Sequence, residues 1–332
     1  MNEIIISRTD AIGDVVLTLP LCGILKAHFP STKITFLGQA YTHPVVQTCQ
    51  YVDEFVDVKN LTNYKPTAEA IVHVFPRKEI LKWAYSQKIP LRICTYSRWY
   101  AWWYANKLVY LHRRRSQLHE SQLNLKLLKP LGINATYTLT EISQYYGMTK
   151  IPLLPHNIQT LLSSEKENWI IHPTSQGSAR EWGLYKYQAL INMLDPKKYN
   201  LFITGTEKDK IYLSQWIEAL PNYVHDLTGK LTLSDLIALI AHVDGLVAGS
   251  TGPLHIAAAL GKKAIGIYPS IRPMHPGRWQ PIGRQASYIS FSEDCTKCKR
   301  EPQNCVCLAN ITPEMVINKM MQYATNCVDK NT

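Results

Sequence analysis

Short runs of β-branched and apolar residues alternate with helical patterns along this chain of 332 residues, and the alternation begins twice. The first half contains the strand-like runs IIIS, KITFLG, EFVDV and AIVHVF, and the second half restarts with NWIIHPTS, NLFITG, GLVAGS and KAIGIYP. Continuous apolar runs separated by helices are typical of parallel sheets that are covered on both faces. The sequence therefore predicts two successive α/β domains.

The break between the two halves falls near residue 155. Pro152 and Pro155, in KIPLLPHNIQ, interrupt both the helical and the strand period. We expect residues 1–155 to form the N-terminal domain and residues 156–332 to form a C-terminal domain that ends in a helix. Each is long enough to bury its own core.

Composition narrows the class of protein. Hydrophobic residues make up 46% of the chain and charged residues 18%, which are globular values. No apolar run is long enough to span a bilayer, and the N-terminus lacks the basic flank and cleavage site of a signal peptide. These features predict a soluble cytoplasmic protein.

Positive charge is concentrated in one segment. Between Arg77 and Lys126 there are eleven lysines or arginines and two acids, so the segment carries +9 of the net charge of +11, together with four of the eight tryptophans. Such a segment fits an anionic membrane, an anionic glycolipid or a nucleic acid. The alternative is an ordinary helix with a buried aromatic face and a solvated basic face.

The segment RTDAIGDVVLTLP follows the strand-like run EIIIS and continues with apolar residues at helical spacing. The pattern predicts a strand, a tight turn and a helix. Asp10, Gly13 and Asp14 would then lie at the carboxyl end of a strand, where open α/β sheets bind ligands. The alternative is that Asp10 or Asp14 only caps the helix.

A second segment, AGSTGPLHIAAALG, predicts an anion site at a helix N-terminus. Pro253 suits the first turn, and the backbone N–H groups of Thr251, Gly252 and Leu254 would be available to a phosphate or diphosphate. His255 would lie one turn further in and donate to the same anion. The alternative is a tight turn followed by a core histidine.

Two further segments carry polar groups just after predicted strands. In HPTSQGSAREW, Thr174, Ser175 and Gly177 offer hydroxyl and backbone donors, and Arg180 offers a charged fork. In FITGTEKDK, Asp209 is placed to hold a ribose hydroxyl, or else to act as an acid at a helix N-terminus.

The tail contains a cysteine cluster, CTKCKREPQNCVC, formed by Cys295, Cys298, Cys305 and Cys307. A C-x2-C pair can chelate zinc or iron, but a metal-free reduced loop or a disulfide pair also fits the C-x-C pair. The chain has no G-x-G-x-x-G, no G-x4-G-K-[ST] and no D-x-D. The common dinucleotide, triphosphate and metal-diphosphate motifs are therefore absent from the sequence.

Taken in order, several segments resemble glycosyltransferase family 9, the bacterial lipopolysaccharide heptosyltransferases: TDAIGDVVLTLP, YVDEFVDV, HESQLNLKLLKPLG, HPTSQGSAREW, LTGKLTLSDLIALI, STGPLHIAAALG, RPMHPGRWQPIG and the tail C-x2-C…C-x-C-L…ITPE. The match runs from about residue 4 to about residue 317 and is weakest from about 60 to 115. The resemblance implies a GT-B fold, in which two Rossmann-like domains face each other across a cleft. The N-terminal domain would bind the acceptor and the C-terminal domain the nucleotide sugar.

The resemblance also implies an inverting, metal-independent transfer of heptose from ADP-heptose to a lipopolysaccharide inner-core acceptor, with Asp14 as general base. Donor binding would fall to Thr174, Ser175, Arg180, Asp209, Ser250, Thr251, Gly252 and His255. Acceptor binding would fall to Gly13, Arg113, Arg114, Arg115 and His119. Ser250 stands where family members commonly have aspartate, and Arg180 where many have lysine, so the identity of the transferred sugar is open.

The expected partners are the nucleotide sugar, an anionic glycolipid acceptor and an anionic membrane, with no nucleic acid. The protein would lie on the inner face of the inner membrane without requiring a cofactor. Three alternatives stay open: a family member that uses another sugar or acceptor, a serine hydrolase whose AGSTG approximates a nucleophile elbow around Ser250, and a non-catalytic nucleic-acid binder.

Overall fold

The computed structural model describes residues 1–113, 116–177, 179–272, 274–291 and 306–325. It divides the chain into two compact units, Met1–Lys150 and Ile151–Thr332. No helix within these described ranges is both long enough and apolar enough to cross a membrane.

The N-terminal unit is built on six parallel strands: β1 (Glu3–Ser7), β2 (Lys33–Gly38), β3 (Glu54–Asp57), β4 (Ala70–His73), β5 (Leu91–Thr95) and β6 (Lys107–Val109). They lie in the order β3-β2-β1-β4-β5-β6, the order of a Rossmann fold. Every residue of β1 is buried, as its apolar run predicts. The strand order therefore reverses between β1 and β4: β2 and β3 lie on one side of this point, and β5 and β6 lie on the other.

The helices of this unit are α1 (Ile12–Val16), α2 (Leu19–His28), α3 (His43–Gln47), α4 (Lys78–Ser86), α5 (Ala101–Tyr104), α6 (Glu120–Leu125) and α7 (Leu139–Ile142). The single helix predicted after β1 is in fact two helices, α1 and α2. Pro20 explains the break, because it has no N–H to donate to the carbonyl of Val16.

The basic segment forms two strands and three helices rather than one amphipathic helix. It contains α4, β5, α5, β6 and α6, and Trp99, Trp102 and Trp103 expose 66%, 64% and 75% of their surface. The alternative of a helix with a buried aromatic face is therefore wrong for these three residues. Trp83 alone among the four packs against the core.

The C-terminal unit repeats the same strand order. Its strands are β7 (Glu167–His172), β8 (Tyr199–Ile203), β9 (Val224–Asp226), β10 (Gly245–Ala248), β11 (Lys263–Ile267) and β12 (Ala286–Ile289). They pair in parallel in the order β12-β11-β10-β7-β8-β9. Counted within the unit this is again 6-5-4-1-2-3, so both units are Rossmann-like α/β domains.

The helices of the C-terminal unit are α8 (His156–Gln159), α9 (Leu184–Met193), α10 (Glu207–Glu218), α11 (Leu233–His242), α12 (Gly252–Ala259), α13 (Pro276–Trp279), a short helix Val306–Ala309 and a last helix Pro313–Thr325. The last two pack on the sheet through Leu308, Ile311 and Val316. Lys186 of α9 is buried and donates from Nζ to the carbonyls of Leu308 and Ile311, at 2.7 and 2.8 Å. The end of the described chain is thus fixed to the C-terminal unit.

Candidate active site

Two polar loops leave the N-terminal sheet where its strand order divides. The last residues of β1 and β4 are neighbours, with Ser7 opposite His73, and the loops that follow carry residues 8–11 and 74–77. Crevices at this point are the usual ligand sites of doubly wound sheets. The sequence motif around Asp14 therefore lies where a ligand is expected.

Arg8 is the centre of a buried charge cluster at this point. Its side chain is 3% exposed, and it pairs with Asp14, with Asp10 at 2.6 Å and with Glu120 at 3.3 Å. Glu120 also pairs with Arg113. Two cations thus neutralise most of the charge of three carboxylates in a poorly solvated place.

Asp14 does not cap its helix. The N-cap of α1 is Ala11, and no side chain makes a capping hydrogen bond there, so the capping alternative is wrong. Burial raises the pKa of Asp14, the Arg8 cation opposes this rise, and the like charges of Asp10 and Glu120 add to it. The resulting pKa of Asp14 is about 6. A carboxylate with such a pKa can accept a proton near neutral pH.

Among the residues predicted to bind the acceptor, Arg113 already makes hydrogen bonds within the protein. Arg113 donates to Asn124 Oδ1 at 3.1 Å and to the carbonyl of Val74 at 3.2 Å, which holds it at the same edge of the sheet as Asp14. Gly13 directly precedes Asp14 in α1. Arg114 and Arg115 lie outside the described residues.

His119 is a capping residue of α6. Its ring nitrogen accepts from the N–H of Ser121 at 3.2 Å, and its own backbone N–H donates to the side-chain oxygen of Gln122. His119 is 1% exposed. In this arrangement His119 fixes the start of the helix that carries Glu120. Its predicted contact with an acceptor stays a prediction.

The C-terminal unit places its polar loops at the equivalent point. Ala248 at the end of β10 lies opposite His172 at the end of β7, and these are the strands between which the order divides. The loop that carries Arg180 contacts the turn after β10, because a Cβ at Gly249 would lie 3.6 Å from the Arg180 carbonyl oxygen. The two segments predicted to bind phosphate are therefore neighbours.

The start of α12 carries a donor that has no partner in the part of the chain that the structure describes. Thr251 is the N-cap, its side chain makes no capping bond, and its hydroxyl is buried without a hydrogen-bond partner among the described residues. Within the same described set, Arg180 Nη1 is also buried and unpartnered. Buried polar groups are normally satisfied, so these two donors, on the two segments that meet before α12, are suited to binding an anion. His255, predicted one turn in, is buried in α12.

Ser175 and its neighbours form a tight loop. The Ser175 N–H donates to Glu181 Oε1 at 2.8 Å, and its hydroxyl donates to the Ala179 carbonyl at 2.8 Å. Gln176 and Gly177 both have positive φ, at 49° and 81°. A non-glycine residue with positive φ is uncommon and marks a loop held in place by its surroundings.

Asp209 forms a capping box with Thr206 at the start of α10, and it accepts from the Thr206 N–H at 2.7 Å. Burial acts to raise its pKa, but the hydrogen bonds from Thr206 and Gln176 outweigh burial and lower it. The alternative of an acid at a helix N-terminus is therefore confirmed, and the ribose contact stays a prediction. Thr174 is buried, and its hydroxyl has no hydrogen-bond partner among the described residues.

Ser250 lies near the buried hydroxyl of Tyr268 and acts to lower its pKa, and that hydroxyl donates to the carbonyl of Trp279. A hydrolytic serine needs a general base as its partner, and a buried phenol is not one. The contact therefore disfavours the serine hydrolase alternative.

The cysteine cluster falls mostly outside the described residues, which exclude Cys295, Cys298 and Cys305. Cys307 is buried on the helix Val306–Ala309. In the part of the chain that the structure describes, no three His, Cys, Asp or Glu residues are grouped so that they could hold a metal ion.

Arg8, Glu120 and Glu181 were not predicted as site residues. Arg8 directly follows the apolar strand β1, and a charged residue at that position was the available signal. Glu120 is one of only two acids in the basic segment. Its partner Arg8 lies 112 positions away, so only the tertiary structure shows the pair.

Comparison with known proteins finds glycosyltransferases among the proteins that this chain resembles. Lipopolysaccharide heptosyltransferase 3 of Escherichia coli is 25% identical, over 77% of this chain and 80% of its own length. A Haemophilus influenzae protein named only as a glycosyltransferase is 27% identical, over 98% of this chain and its whole length. Among solved structures, E. coli ADP-heptose lipopolysaccharide heptosyltransferase II superposes with a TM-score of 0.73 at 20% identity, covering 96% of this chain and 97% of that one.

The sequence profile of glycosyltransferase family 9 (heptosyltransferase) matches residues 100–309, which is more than half of the chain. This range includes the whole phosphate-site region from Thr174 to His255. On this match, the chain belongs to glycosyltransferase family 9, the heptosyltransferase family.

Proposed function

We propose that this protein transfers a heptose from ADP-heptose to an inner-core acceptor of lipopolysaccharide, with inversion at the anomeric carbon and without a metal ion. The single observation that carries the proposal is the pair of buried donors, Thr251 Oγ1 and Arg180 Nη1, that have no partner within the described residues and lie on the two segments that meet before α12 in a family 9 chain. The E. coli structural relative is named for ADP-heptose and lipopolysaccharide, which supports the choice of donor and acceptor.

In this proposal the donor diphosphate occupies the space at the start of α12. The first-turn N–H groups of α12, the Thr251 hydroxyl and the Arg180 guanidinium would hold its oxygens. As the glycosidic bond breaks, negative charge grows on the leaving diphosphate, and fixed donors stabilise that charge. Positive charge and N–H groups would thus supply what a metal ion supplies in other transferases.

Asp14 is the proposed base. The acceptor hydroxyl attacks the anomeric carbon, its proton passes to the Asp14 carboxylate, and the electron pair of the broken bond leaves with ADP. Burial and the neighbouring carboxylates raise the pKa of Asp14, which makes it a better proton acceptor than an ordinary aspartate. Arg8 keeps its carboxylate in one place.

We further propose that the protein works at the inner face of the inner membrane, where a glycolipid acceptor is anchored. Trp99, Trp102 and Trp103 are exposed on the N-terminal unit, and Lys78 lies 5.2 Å from the Trp99 ring. Exposed tryptophans beside cations are typical of proteins that bind anionic bilayers.

The test is a transfer assay on the full-length protein with ADP-heptose and a heptose-free inner-core glycolipid. We expect release of ADP, an acceptor heavier by one heptose, an inverted anomeric centre by NMR, and undiminished activity in EDTA. UDP-, GDP- and CMP-sugars serve as competing donors. Transfer from one of these but not from ADP-heptose would replace the proposed donor, and an unchanged acceptor with every donor would refute the function.

A further inference from the structure

Three aromatic side chains of the N-terminal unit form an ordered, exposed group that the proposed reaction does not use. The rings of Tyr96 and Tyr110 stack at 4.7 Å with an angle of 13° between their planes. His112 stands at right angles to both, with its ring centre 5.4 Å from that of Tyr96 and 4.9 Å from that of Tyr110. The Tyr96 hydroxyl hydrogen-bonds His112 Nε2 at 2.5 Å.

This group, hereafter the tyrosine platform, is held from several sides. The N–H of Tyr96 donates to the carbonyl of Val109 at 3.2 Å, and Trp102 Nε1 donates to the carbonyl of Tyr96 at 3.0 Å. Tyr110 nevertheless exposes 73% of its surface. The platform therefore offers a fixed aromatic face to a ligand, which reduces the ordering cost of binding.

The platform lies on the same edge of the sheet as the charge cluster around Asp14. Tyr96 directly follows β5 and Tyr110 directly follows β6, with Thr95 opposite Val109 at the ends of these strands. In the order β1-β4-β5-β6, strand β5 is two positions from β1, which is about 10 Å. An extended ligand whose reacting hydroxyl is at Asp14 can therefore reach the platform.

A basic residue lies in the loop after β4, the strand between β1 and β5. Arg77 follows β4, donates to the carbonyl of Thr9 at 3.2 Å and lies 5.9 Å from the Phe75 ring. Its position on the edge gives a bound molecule a cation between the base and the platform. The edge thus presents a carboxylate, a guanidinium and a flat aromatic surface in that order.

The chemistry of the platform favours a sugar over a lipid chain. A pyranose has a C–H face that packs on an aromatic ring and hydroxyls at its rim that hydrogen-bond polar groups. Tyrosine and histidine provide both a flat face and polar ring atoms, whereas Trp99 and Trp103 expose mainly apolar surface. Arg77 complements a carboxylate or phosphate substituent on such a sugar.

We infer that the tyrosine platform is a subsite for a sugar of the acceptor, one that carries an anionic substituent and lies away from the reacting hydroxyl. The inference rests on the proposed function for the identity of the acceptor. It adds a recognition element in a part of the N-terminal unit that the family profile, which begins at residue 100, covers only in part.

The test uses a deacylated, phosphorylated inner-core oligosaccharide, which has no lipid chain. Tyr110→Ala removes the exposed ring, Tyr110→Phe keeps it, and Tyr212→Ala is the matched control, an equally exposed tyrosine of the other unit with 64% of its surface exposed. We expect Tyr110→Ala to weaken binding and raise KM for the acceptor about 3- to 10-fold with little change in kcat. Tyr110→Phe and Tyr212→Ala should resemble the wild type.

In saturation-transfer NMR, the C–H protons of the sugar that packs on the protein should receive less saturation in Tyr110→Ala than in the wild type. Tyr110→Phe and Tyr212→Ala should show no such loss. Equal binding by Tyr110→Ala and wild type, or no oligosaccharide binding by the wild type, would overturn the subsite. So would an equal loss of binding to phosphatidylglycerol vesicles or to single-stranded RNA, because the platform would then read a bilayer or a nucleic acid. Binding is measured without donor, so a failure of ADP-heptose transfer with Tyr110-dependent sugar binding would refute only the proposed function.

Discussion

The guanidinium of Arg8, in the loop after β1, is ion-paired with the carboxylate of Asp14, six positions further along the chain in α1. Arg8 also holds Asp10, so the two aspartates share one buried cation. Burial raises the pKa of Asp14, the shared cation Arg8 opposes that rise while it fixes the carboxylate in position, and the like charge of Asp10 reinforces the rise. A carboxylate with a cation to itself would be a weaker base.

The Asp14→Asn variant tests whether Asp14 acts as a base or has only a structural role. Asparagine is nearly the same size and can still accept from Arg8, but it cannot take a proton, so turnover should fall by roughly 10² to 10⁴-fold. The melting temperature and the affinity for ADP should barely change. Asp10→Asn is the control, since it removes the other carboxylate on Arg8 and should have a small effect. A fully active Asp14→Asn enzyme would remove the base from the mechanism.

The pH dependence should follow the charges around Asp14. Protonation of Asp14 should reduce kcat/KM below about pH 6. Arg8 and Arg113 lower the pKa of Asp14, whereas Asp10 and Glu120 raise it. Glu120→Gln removes a like charge, so the acidic limb of the profile should move to lower pH. A limb that stays in place, or moves to higher pH, would contradict this account of the cluster.

Thr251→Val tests the donor site through a difference between stability and binding. The Thr251 hydroxyl is buried and has no partner within the described chain, so its removal should not lower the melting temperature. The affinity for ADP, measured by calorimetry, should fall by about 1 to 3 kcal/mol, the usual range for a charge-assisted bond.

Thr35→Val is the reciprocal control for Thr251. The Thr35 hydroxyl is buried in β2 and donates to Glu3 at 2.7 Å, so its loss should destabilise the protein and leave ADP binding intact. Unchanged ADP affinity in Thr251→Val would refute the placement of the diphosphate.

The exposed tryptophans predict binding to an anionic bilayer. Replacing Trp99, Trp102 and Trp103 by alanine should weaken binding to phosphatidylglycerol vesicles by at least about tenfold, because apolar surface that enters the interface is lost. Wild-type binding should also fall steeply with salt. The control replaces Ile211 and Tyr212, two exposed residues of α10 in the other unit. Equal binding by both triple and control variants would exclude the tryptophans as the contact.

Most of the strands that the sequence predicts are buried on both faces, as in β1 and β10, whereas the edge strand β3 is mostly half-buried. The eight predicted runs correspond to β1, β2, β3, β4, β7, β8, β10 and β11, whereas β5, β6, β9 and β12 were not predicted. Three of the missed strands are edge strands, and β6 and β9 have three residues each. Short, half-exposed strands such as ASYI have little apolar periodicity to detect.

The site was predictable only where one short segment contains both the turn and the functional groups. The start of α12 is such a case, since Thr251, Gly252 and Pro253 determine a helix N-terminus locally. The cluster around Asp14 is not, because Arg8 and Glu120 meet only after the sheet has formed. For Asp209 the local sequence allowed two roles, and its carboxylate is bonded in the capping box at the start of its own helix.

The repetition of one strand order in both units has a consequence for how specificity can change. Asp14 lies in the helix after the first strand of its unit, and Thr174 lies in the loop after the first strand of the other. In the proposed function the two copies of one strand order thus have different roles, the first supplying the base and the second the diphosphate site. The loops after β4, β5 and β6 all belong to the first copy. On this proposal, a descendant of this chain can acquire a new acceptor by altering those loops alone and inherit its nucleotide sugar unchanged.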